Sequence, residues 1–268
     1  MISFPIAKIN LGLSILSKRP DGFHNLETIY YPLPVWDVLE IIPSEYSTFI
    51  STGLPVPGEN SMNLVIRAYE TIKKNYPRTG NLEIHLHKAI PMGAGLGGGS
   101  SDAAQTLLMI NRIFKLQVSD ERLMEFALEL GSDCPFFMQG LPCFAYGKGE
   151  VMEPVRLNLS EYSFLLVHPD IHIDTAWAFS RIQAAPPEYD LKESILQPVQ
   201  NWKKTIANAF EAPVFIEYPA LKKIKDQLYA AGAHYAAMTG SGSTIFGIFD
   251  KSVLPSVSIE NARQTFVR

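Results

Sequence analysis

The sequence contains little cysteine, no block of basic residues and no long uninterrupted apolar run. Its two cysteines, Cys134 and Cys143, lack metal-ligand spacing, which argues against a disulfide scaffold and a structural zinc site. A formal net charge of −4 gives no electrostatic footprint for nucleic acid or an anionic membrane. No stretch approaches the roughly 20 apolar residues of a membrane span. We therefore expect a cytoplasmic protein that binds neither nucleic acid nor membrane.

Strand and helix patterns are mixed along the 268 residues, without internal repeats. Apolar alternation predicts strands at residues 4–16, 35–42, 82–87, 142–146, 164–167, 235–238 and 245–249. Spacings of three and four predict helices at 63–73, from Asp102 onward, after a Ser119 cap, near Trp177 and at 219–231. The predicted class is α+β. Pro154 and the strand after it predict a domain boundary near residue 150.

A run of five glycines ends where one of these helices is predicted to begin. The run reads Gly93-Ala94-Gly95-Leu96-Gly97-Gly98-Gly99, followed by Ser100 and Ser101. The first N–H groups of a helix lack internal partners and carry a partial positive charge. Glycines allow neighbouring N–H groups to turn toward an anion, and a flexible turn rarely needs five of them beside an amphipathic helix. We predict a phosphate-binding site here.

Three known nucleotide-binding patterns match this run incompletely. Gly93, Gly95 and Gly98 satisfy the dinucleotide pattern, but residues 114–120 hold no strand ending in an acidic residue. Gly99 precedes Ser100 where a P-loop requires lysine, and the H-R-D and D-F-G sequences of protein kinases do not occur. A nucleotide-binding or oxidoreductase module without kinase chemistry remains an alternative.

Three motifs in order resemble those of the GHMP kinases, the superfamily that includes galactokinase, homoserine kinase and mevalonate kinase. They are Pro5-Ile6-Ala7-Lys8-Ile9-Asn10-Leu11, Pro91-Met92-Gly93 through Ser101, and Thr239-Gly240-Ser241-Gly242-Ser243. The resemblance spans most of the chain. It implies a two-domain fold with the active site in the cleft between the domains. Residues 1–150 would bind the nucleotide, and residues 151–268 would bind the substrate.

The family pattern implies that Asp133 is the catalytic base and that Lys8 lies beside it. A neighbouring lysine would favour the ionised carboxylate and could stabilise charge on the transferred group. From residue type alone, Asp133 could equally be a helix N-cap, because Pro135 suits the first turn of a helix. Lys8 alone would be an ordinary surface lysine at a strand.

ATP is the phosphoryl donor that the resemblance implies, with Mg²⁺ as its cofactor. Ser100 or Ser101 could touch the ion or the β-phosphate. Asn63 matches a nucleotide-contacting position of the family, and from its sequence context it would also serve as a helix cap. The implied ATP-binding residues are Asn63, Pro91, Gly93, Ala94, Gly95, Leu96, Gly97, Gly98, Gly99, Ser100 and Ser101.

The substrate expectation comes from Asp21-Gly22-Phe23-His24 and from Gly131-Ser132-Asp133-Cys134-Pro135-Phe136-Phe137. Both resemble the branch of the family that phosphorylates a cytidine-diphosphate-linked sugar alcohol on the non-mevalonate route to isoprenoid precursors. A kinase for another alcohol, such as homoserine or mevalonate, remains an alternative. The implied substrate-binding residues are Asn10, Phe23, His24, Phe179, Gly240 and Ser241.

Within that set, His24 offers a donor and an acceptor to a cytosine edge, and Phe23 and Phe179 would stack on the base. Phe23 stands where relatives often carry tyrosine, and Ala209 stands where they commonly carry an acidic residue. Asn10 could bond the reacting hydroxyl or simply hold its strand. The 239–243 loop could supply backbone donors or form only a hairpin between two strands.

Overall fold

A computed structural model describes residues 1–255, 257 and 259–268. The strands are β1 (Ile2–Ser3), β2 (Ile6–Lys18), β3 (His24–Trp36), β4 (Val38–Pro43), β5 (Thr48–Gly53), β6 (Leu82–Lys88), β7 (Cys143–Gly147), β8 (Val151–Pro154), β9 (Tyr162–Pro169), β10 (Tyr235–Met238), β11 (Ile245–Asp250) and β12 (Ala262–Val267). The helices are α1 (Leu64–Asn75), α2 (Gly98–Ile113), α3 (Asp120–Leu130), α4 (Cys134–Gln139), α5 (Thr175–Ser180), α6 (Leu191–Ser194), α7 (Trp202–Thr205), α8 (Glu211–Glu217) and α9 (Pro219–Ala230). This mixture confirms the α+β class. Within the described residues, no helix combines the length and apolar character needed to cross a bilayer.

The chain divides into two compact units, each assembled from separate segments. The first unit comprises Met1–Lys8, Pro32–Met92 and Gly97–Gly140. The second comprises Ile9–Tyr31, Gly93–Leu96 and Leu141–Arg268. The expected boundary near residue 150, with nucleotide binding before it and substrate binding after it, stays a prediction.

A four-stranded sheet in the order β1-β4-β6-β5 forms one layer of the first unit. β4 runs antiparallel to β1 and β6, whereas β5 runs parallel to β6. Side chains alternate along β6, so that Leu82, Ile84 and Leu86 are buried while His85 and His87 share the opposite face. The buried face packs against α1, α2 and α3 and forms the core of the unit.

Local capping defines two helices of this unit as the sequence predicted. Asn63 Oδ1 accepts the Val65 N–H at 2.9 Å and begins α1. Ser119 Oγ accepts the Arg122 N–H at 3.3 Å and begins α3, which ends at Gly131. The predicted cap at Ser119 is therefore confirmed.

The start of α2 differs from the prediction. The helix begins at Gly98 rather than at Asp102, so Gly98 and Gly99 belong to its first turn. Glycine has low helix propensity and contributes nothing to an apolar periodicity, which is why the pattern placed the start too late. Packing explains why glycine stands at this position, because a Cβ on Gly98 would lie only 2.9 Å from Ile90 Cγ2.

Two four-stranded sheets contribute to the second unit. One has the order β10-β11-β9-β12 and is antiparallel throughout. The other has the order β2-β3-β7-β8, in which β2 and β3 each begin or end with residues of the first unit. Helix α9, which starts at Pro219 as predicted, buries Leu221, Ile224 and Leu228 in the core of the second unit.

Candidate active site

The division between the two units falls within the glycine run, after Leu96. In the first unit, Gly97 occupies the N-cap of α2 with a left-handed φ of +70°. Glycine has no side chain, so this cap lacks the acceptor that Asn63 and Ser119 give to α1 and α3. The first N–H groups of α2 can therefore meet an external acceptor, which is the requirement for binding a phosphate.

The two serines of the run are placed differently. Ser101 is 1% exposed, and its Oγ has no hydrogen-bond partner among the described residues. Ser100 keeps some accessible surface and lies beside Cys134. Burial, opposed by the hydrogen bond from Ser100, raises the pKa of the Cys134 thiol to about 12. The thiol therefore stays neutral and is no nucleophile at neutral pH. Because Ser100 is more accessible than Ser101, it is the better candidate to touch a bound phosphate or ion.

Lys8 and Asp133, the predicted catalytic residues, form an ion pair in the first unit. Lys8 Nζ lies 3.3 Å from Asp133 Oδ2. The lysine side chain is 4% exposed and the aspartate side chain 31% exposed, so the carboxylate keeps access to solvent while the lysine is enclosed. The alternative interpretation of Lys8 as a surface lysine is wrong.

Asp133 also stands at the N-cap position of α4, with Pro135 in the first turn. Its backbone is helical, however, and its side chain makes no capping hydrogen bond. A capping residue normally has an extended backbone and a side chain that accepts from the helix. The carboxylate of Asp133 contacts Lys8 instead, which favours a chemical role over a structural one.

Gly97 brings this ion pair beside the start of α2. A Cβ on Gly97 would lie 2.7 Å from Phe137 Cζ and 3.2 Å from Lys8 Cε. The lysine stem therefore packs directly against the backbone of the N-cap residue. A carboxylate, an ammonium and the N-terminus of a helix thus meet within one unit, as transfer of a phosphoryl group to an alcohol requires.

In the second unit, Thr239 links the remaining part of the glycine run to the later glycine loop. Thr239 Oγ1 lies 3.0 Å from Gly95 O and accepts the Asn10 N–H at 3.0 Å. The Asn10 side chain donates from Nδ2 to Thr28 Oγ1 at 2.9 Å. Asn10 is 3% exposed, and these contacts tie its strand, β2, to Thr28 in β3 and to Thr239. Its predicted contact with substrate remains untested.

The loop at residues 239–243 connects β10 to β11, which pair antiparallel, so the hairpin interpretation is confirmed. Asn208 holds this loop, because its Nδ2 donates to Met238 O at 2.7 Å and to Gly240 O at 2.8 Å. Ser241 Oγ lies 3.2 Å from Thr175 Oγ1. Neither Asn208 nor Thr239 was among the predicted site residues. For Thr239 the sequence held a signal, a polar residue directly after the apolar run 235–238; for Asn208 it held none.

The aromatic residues expected at a cytosine site are also in the second unit. The rings of His24 and Phe179 stack with centroids 5.0 Å apart and an interplanar angle of 20°. Phe210 supports Phe179 edge-on at 4.9 Å. Phe23 is 57% exposed, and Lys148 Nζ lies 4.8 Å from its ring centroid. The structure therefore brings His24 and Phe179 together and leaves the Phe23 ring accessible.

The other predicted ATP-binding residues divide between the units. Pro91 and Gly99 belong to the first unit together with Asn63, whose side chain caps α1. In the second unit, Gly93 and Gly95 have φ of +62° and +77°, and the Ala94 carbonyl accepts the Thr244 N–H at 3.3 Å. Alternating left-handed glycines orient successive N–H groups in the manner of an anion nest.

The fold and these motifs define a GHMP kinase. The family model described as the GHMP kinases N terminal domain matches residues 63–141, and the model described as GHMP kinases C terminal matches residues 192–259. The chain belongs to this family, whose members are ATP-dependent kinases.

Several relatives within the family share one enzyme name. A Parabacteroides distasonis protein named 4-diphosphocytidyl-2-C-methyl-D-erythritol kinase is 51% identical over 94% of this chain and 92% of its own length. A Cytophaga hutchinsonii protein of the same name is 47% identical over 93% of each chain. The crystal structure of a 4-(cytidine 5'-diphospho)-2C-methyl-D-erythritol kinase superposes with a TM-score of 0.80 and 32% identity, over 92% of this chain and 90% of that one. Homoserine kinase from Cytophaga hutchinsonii shares the fold. Its crystal structure superposes with a TM-score of 0.66 and 16% identity, over 92% of this chain and 85% of that one.

Proposed function

We propose that this chain catalyses the ATP-dependent phosphorylation of the 2-hydroxyl of 4-diphosphocytidyl-2-C-methyl-D-erythritol, a step in non-mevalonate isoprenoid precursor biosynthesis. The observation that carries the chemistry is the Lys8–Asp133 ion pair beside Gly97, at the start of α2. The relatives that bear this kinase's name, at up to 51% identity over most of the chain, support the choice of substrate.

In the proposed reaction, Asp133 accepts the proton of the attacking hydroxyl. The hydroxyl oxygen forms a bond to the γ-phosphorus of ATP, and the bond from that phosphorus to the bridging oxygen breaks, with its electrons leaving on ADP. The Lys8 ammonium, 3.3 Å from the carboxylate, supplies positive charge beside the reacting oxygens. Enclosure of Lys8 strengthens this effect, because a charge shielded from water acts more strongly on its neighbours.

The first turn of α2 would bind the phosphates through its N–H groups. Mg²⁺, when bound with ATP, supplies further charge neutralisation, and the hydroxyl of Ser100 is a hard oxygen donor that suits it. Because Ser101 is enclosed, we assign any direct contact of this kind to Ser100.

The nucleobase of the substrate would lie against the aromatic group in the second unit. Stacking of His24 on Phe179 fixes the plane of the imidazole, so its nitrogens can meet the edge of a base. The exposed ring of Phe23 offers a further stacking surface. We also propose a cytoplasmic location, since the reaction consumes ATP and both cysteines are free thiols.

The substrate assignment is tested by measuring ADP release with ATP and four alcohols, namely the cytidylyl compound, homoserine, mevalonate and galactose. We expect turnover with the cytidylyl compound alone. Preferential turnover of homoserine or mevalonate would reassign the substrate within the family. Absence of turnover with all four would remove the proposed activity.

The role of Asp133 is tested in the same assay with Asp133→Ala. We expect turnover to fall by about 10²–10⁴-fold, as is usual for loss of a general base, while ATP affinity stays nearly unchanged. A matched control is Asp226→Ala, which removes another lysine-paired aspartate, 2.6 Å from Lys222 and 60% exposed. The control should keep full turnover, and an equally active Asp133→Ala enzyme would exclude this residue as the base.

A further inference from the structure

Three charged side chains are buried together in the first unit, outside the residues already assigned to the reaction. Lys88 Nζ contacts Asp37 Oδ2 and lies 2.7 Å from Asp102 Oδ2. The side chains of Lys88 and Asp37 are fully enclosed, and that of Asp102 is 3% exposed. Buried charges are costly to desolvate, and apolar residues of similar size often stabilise a fold as well or better. Stability alone is therefore a weak reason for this cluster.

Asp37 connects the cluster to the segment that enters the glycine run. This residue lies between β3 and β4, and its Oδ1 accepts the N–H groups of Ala89 at 2.6 Å and Ile90 at 2.9 Å. Ala89 and Ile90 follow the last residue of β6 and lead directly to Pro91. One carboxylate thus fixes the backbone just before the loop.

Asp102 connects the cluster to the helix that leaves the glycine run. It lies in α2 after the two glycines and two serines of the first turn. Its Oδ2 accepts from Lys88, whereas its Oδ1 has no hydrogen-bond partner among the described residues. The side chain of Asp102 therefore interacts chiefly with Lys88, which it shares with Asp37.

Lys88 lies directly under the first turn of α2. A Cβ on Gly98 would be 3.2 Å from Lys88 Nζ. An ammonium at this end of a helix is opposed by the helix dipole, and the two carboxylates offset that cost. The same ammonium contacts both Asp37, which holds the backbone that enters the glycine run, and Asp102, which lies in the helix that leaves it. The segments before and after the glycine run are thus linked through Lys88 Nζ.

We propose that Asp37, Lys88 and Asp102 are positioning residues that fix the start of α2 relative to the segment entering the glycine run, so that the N–H groups of its first turn are held ready for the phosphates of a nucleotide. Because the three side chains are enclosed, we assign them a supporting role rather than a direct contact with the nucleotide. The inference rests on the nucleotide binding of the proposed function, and it does not depend on which alcohol is phosphorylated.

The test compares two replacements of Asp102 that differ little in volume. Asp102→Asn keeps an oxygen that can accept from Lys88, whereas Asp102→Leu does not and leaves the Lys88–Asp37 pair intact. We expect Asp102→Leu to weaken binding of a non-hydrolysable ATP analogue by about tenfold or more, the usual effect of losing a supporting residue behind a binding group. Asp102→Asn should stay within about threefold of the wild-type affinity.

Two further measurements separate positioning from a structural role. In the nucleotide-free protein, hydrogen exchange of the amides at residues 97–101 should be faster in Asp102→Leu than in Asp102→Asn. At pH 8, where Asp102 is ionised, the melting temperature of Asp102→Leu should equal or exceed that of the wild type, because a buried carboxylate is removed while Lys88 keeps Asp37 as its partner. A purely structural role gives the reverse pattern, with a lower melting temperature and unchanged affinity.

The control is Lys225→Met, which breaks the largely buried ion pair with Glu211 in the second unit. It should leave affinity for the ATP analogue and exchange at residues 97–101 unchanged. Wild-type affinity and exchange in Asp102→Leu would overturn the inference. Protein that binds ATP with the expected order of affinities yet phosphorylates none of the four alcohols would refute the proposed function and leave this inference standing.

Discussion

Gly97→Ala tests whether the loop glycines make room for the proposed catalytic pair, Lys8 and Asp133, in addition to their proposed binding of phosphates. The added Cβ would lie 2.7 Å from Phe137 Cζ, 2.9 Å from Phe137 Cε2 and 3.2 Å from Lys8 Cε. Carbon atoms in good contact are roughly 3.5–4.0 Å apart. Both side chains must therefore move, and Lys8 carries the ammonium that pairs with Asp133.

Gly97→Ala should affect both the stability of the fold and the turnover of the enzyme. Placing alanine at a φ of +70° costs about 1–2 kcal/mol of stability, because its Cβ crowds the following carbonyl oxygen. Displacement of Lys8 affects the reaction rather than the fold. A shift of about 1 Å in a catalytic group can lower turnover by about 10²-fold, so we expect turnover to fall by about 10- to 100-fold.

The matched control is Gly232→Ala, which follows α9 in the second unit. Gly232 also has a positive φ, +94°, but an added Cβ would meet no atom within 4 Å. Gly232→Ala should lose about 1–2 kcal/mol in chemical denaturation because it strains the backbone, and Gly97→Ala should lose at least as much because it also crowds Phe137. Only Gly97→Ala should lose turnover in the ADP-release assay. Equal turnover in the two variants would refute the argument that Gly97 makes room for Lys8.

Two other changes give distinct outcomes. His24→Ala should chiefly raise the KM for the cytidylyl substrate. His24→Phe should raise this KM similarly, although the ring contact with Phe179 survives, because the imidazole nitrogens are lost. An unaltered KM in either variant would exclude recognition of the cytosine edge by His24. Burial, together with Asp37 and against the opposing effect of Lys88, raises the pKa of Asp102 to about 7, so the folded state holds this proton more tightly than the unfolded chain. Stability from this group is complete below about pH 4 and declines by up to about 4 kcal/mol as pH rises through 7. Thermal melts from pH 5 to 8, without nucleotide or magnesium, should show this decline in the wild type and not in Asp102→Asn; parallel curves would contradict it.

Local physical rules predicted the parts of the fold that depend on neighbouring residues. The Ser119 cap and the alternation along β6 follow from short-range geometry and were found as expected. The start of α2 did not follow. Gly98 belongs to this helix despite the low helix propensity of glycine, and Ile90 lies too close for a larger residue. Helix propensity depends on residue type alone and does not include contacts with residues that are brought near only by folding.

The proposed catalytic pair could be identified only through the family resemblance. Lys8 and Asp133 are far apart in sequence, and residue type alone left one as a surface lysine and the other as a helix cap. In the structure Lys8 is enclosed, and Asp133 occupies the N-cap position of α4 without a capping hydrogen bond from its side chain. Long-range ion pairs leave no local periodicity, so no pattern within either segment could have revealed this one.

The buried cluster had left a signal in the sequence. Alternation along β6 places Leu82, Ile84 and Leu86 on the buried face, and continuing it by one step places Lys88 there as well. A lysine at a buried position requires a carboxylate partner. The sequence therefore implied a buried acidic residue, but topology was needed to identify Asp37 and Asp102.

The structure also changes what the number of glycines in the run means. A Cβ on Gly95 would overlap Thr239 O, one on Gly97 would crowd Lys8, and one on Gly98 would crowd Ile90. At these positions close packing already requires glycine, whether or not a phosphate binds. The count of five glycines is thus weaker support for an anion site than it first appears. The stronger support is the start of α2 at Gly97, where the first N–H groups lack a side-chain acceptor of the kind found at α1, α3, α5 and α6.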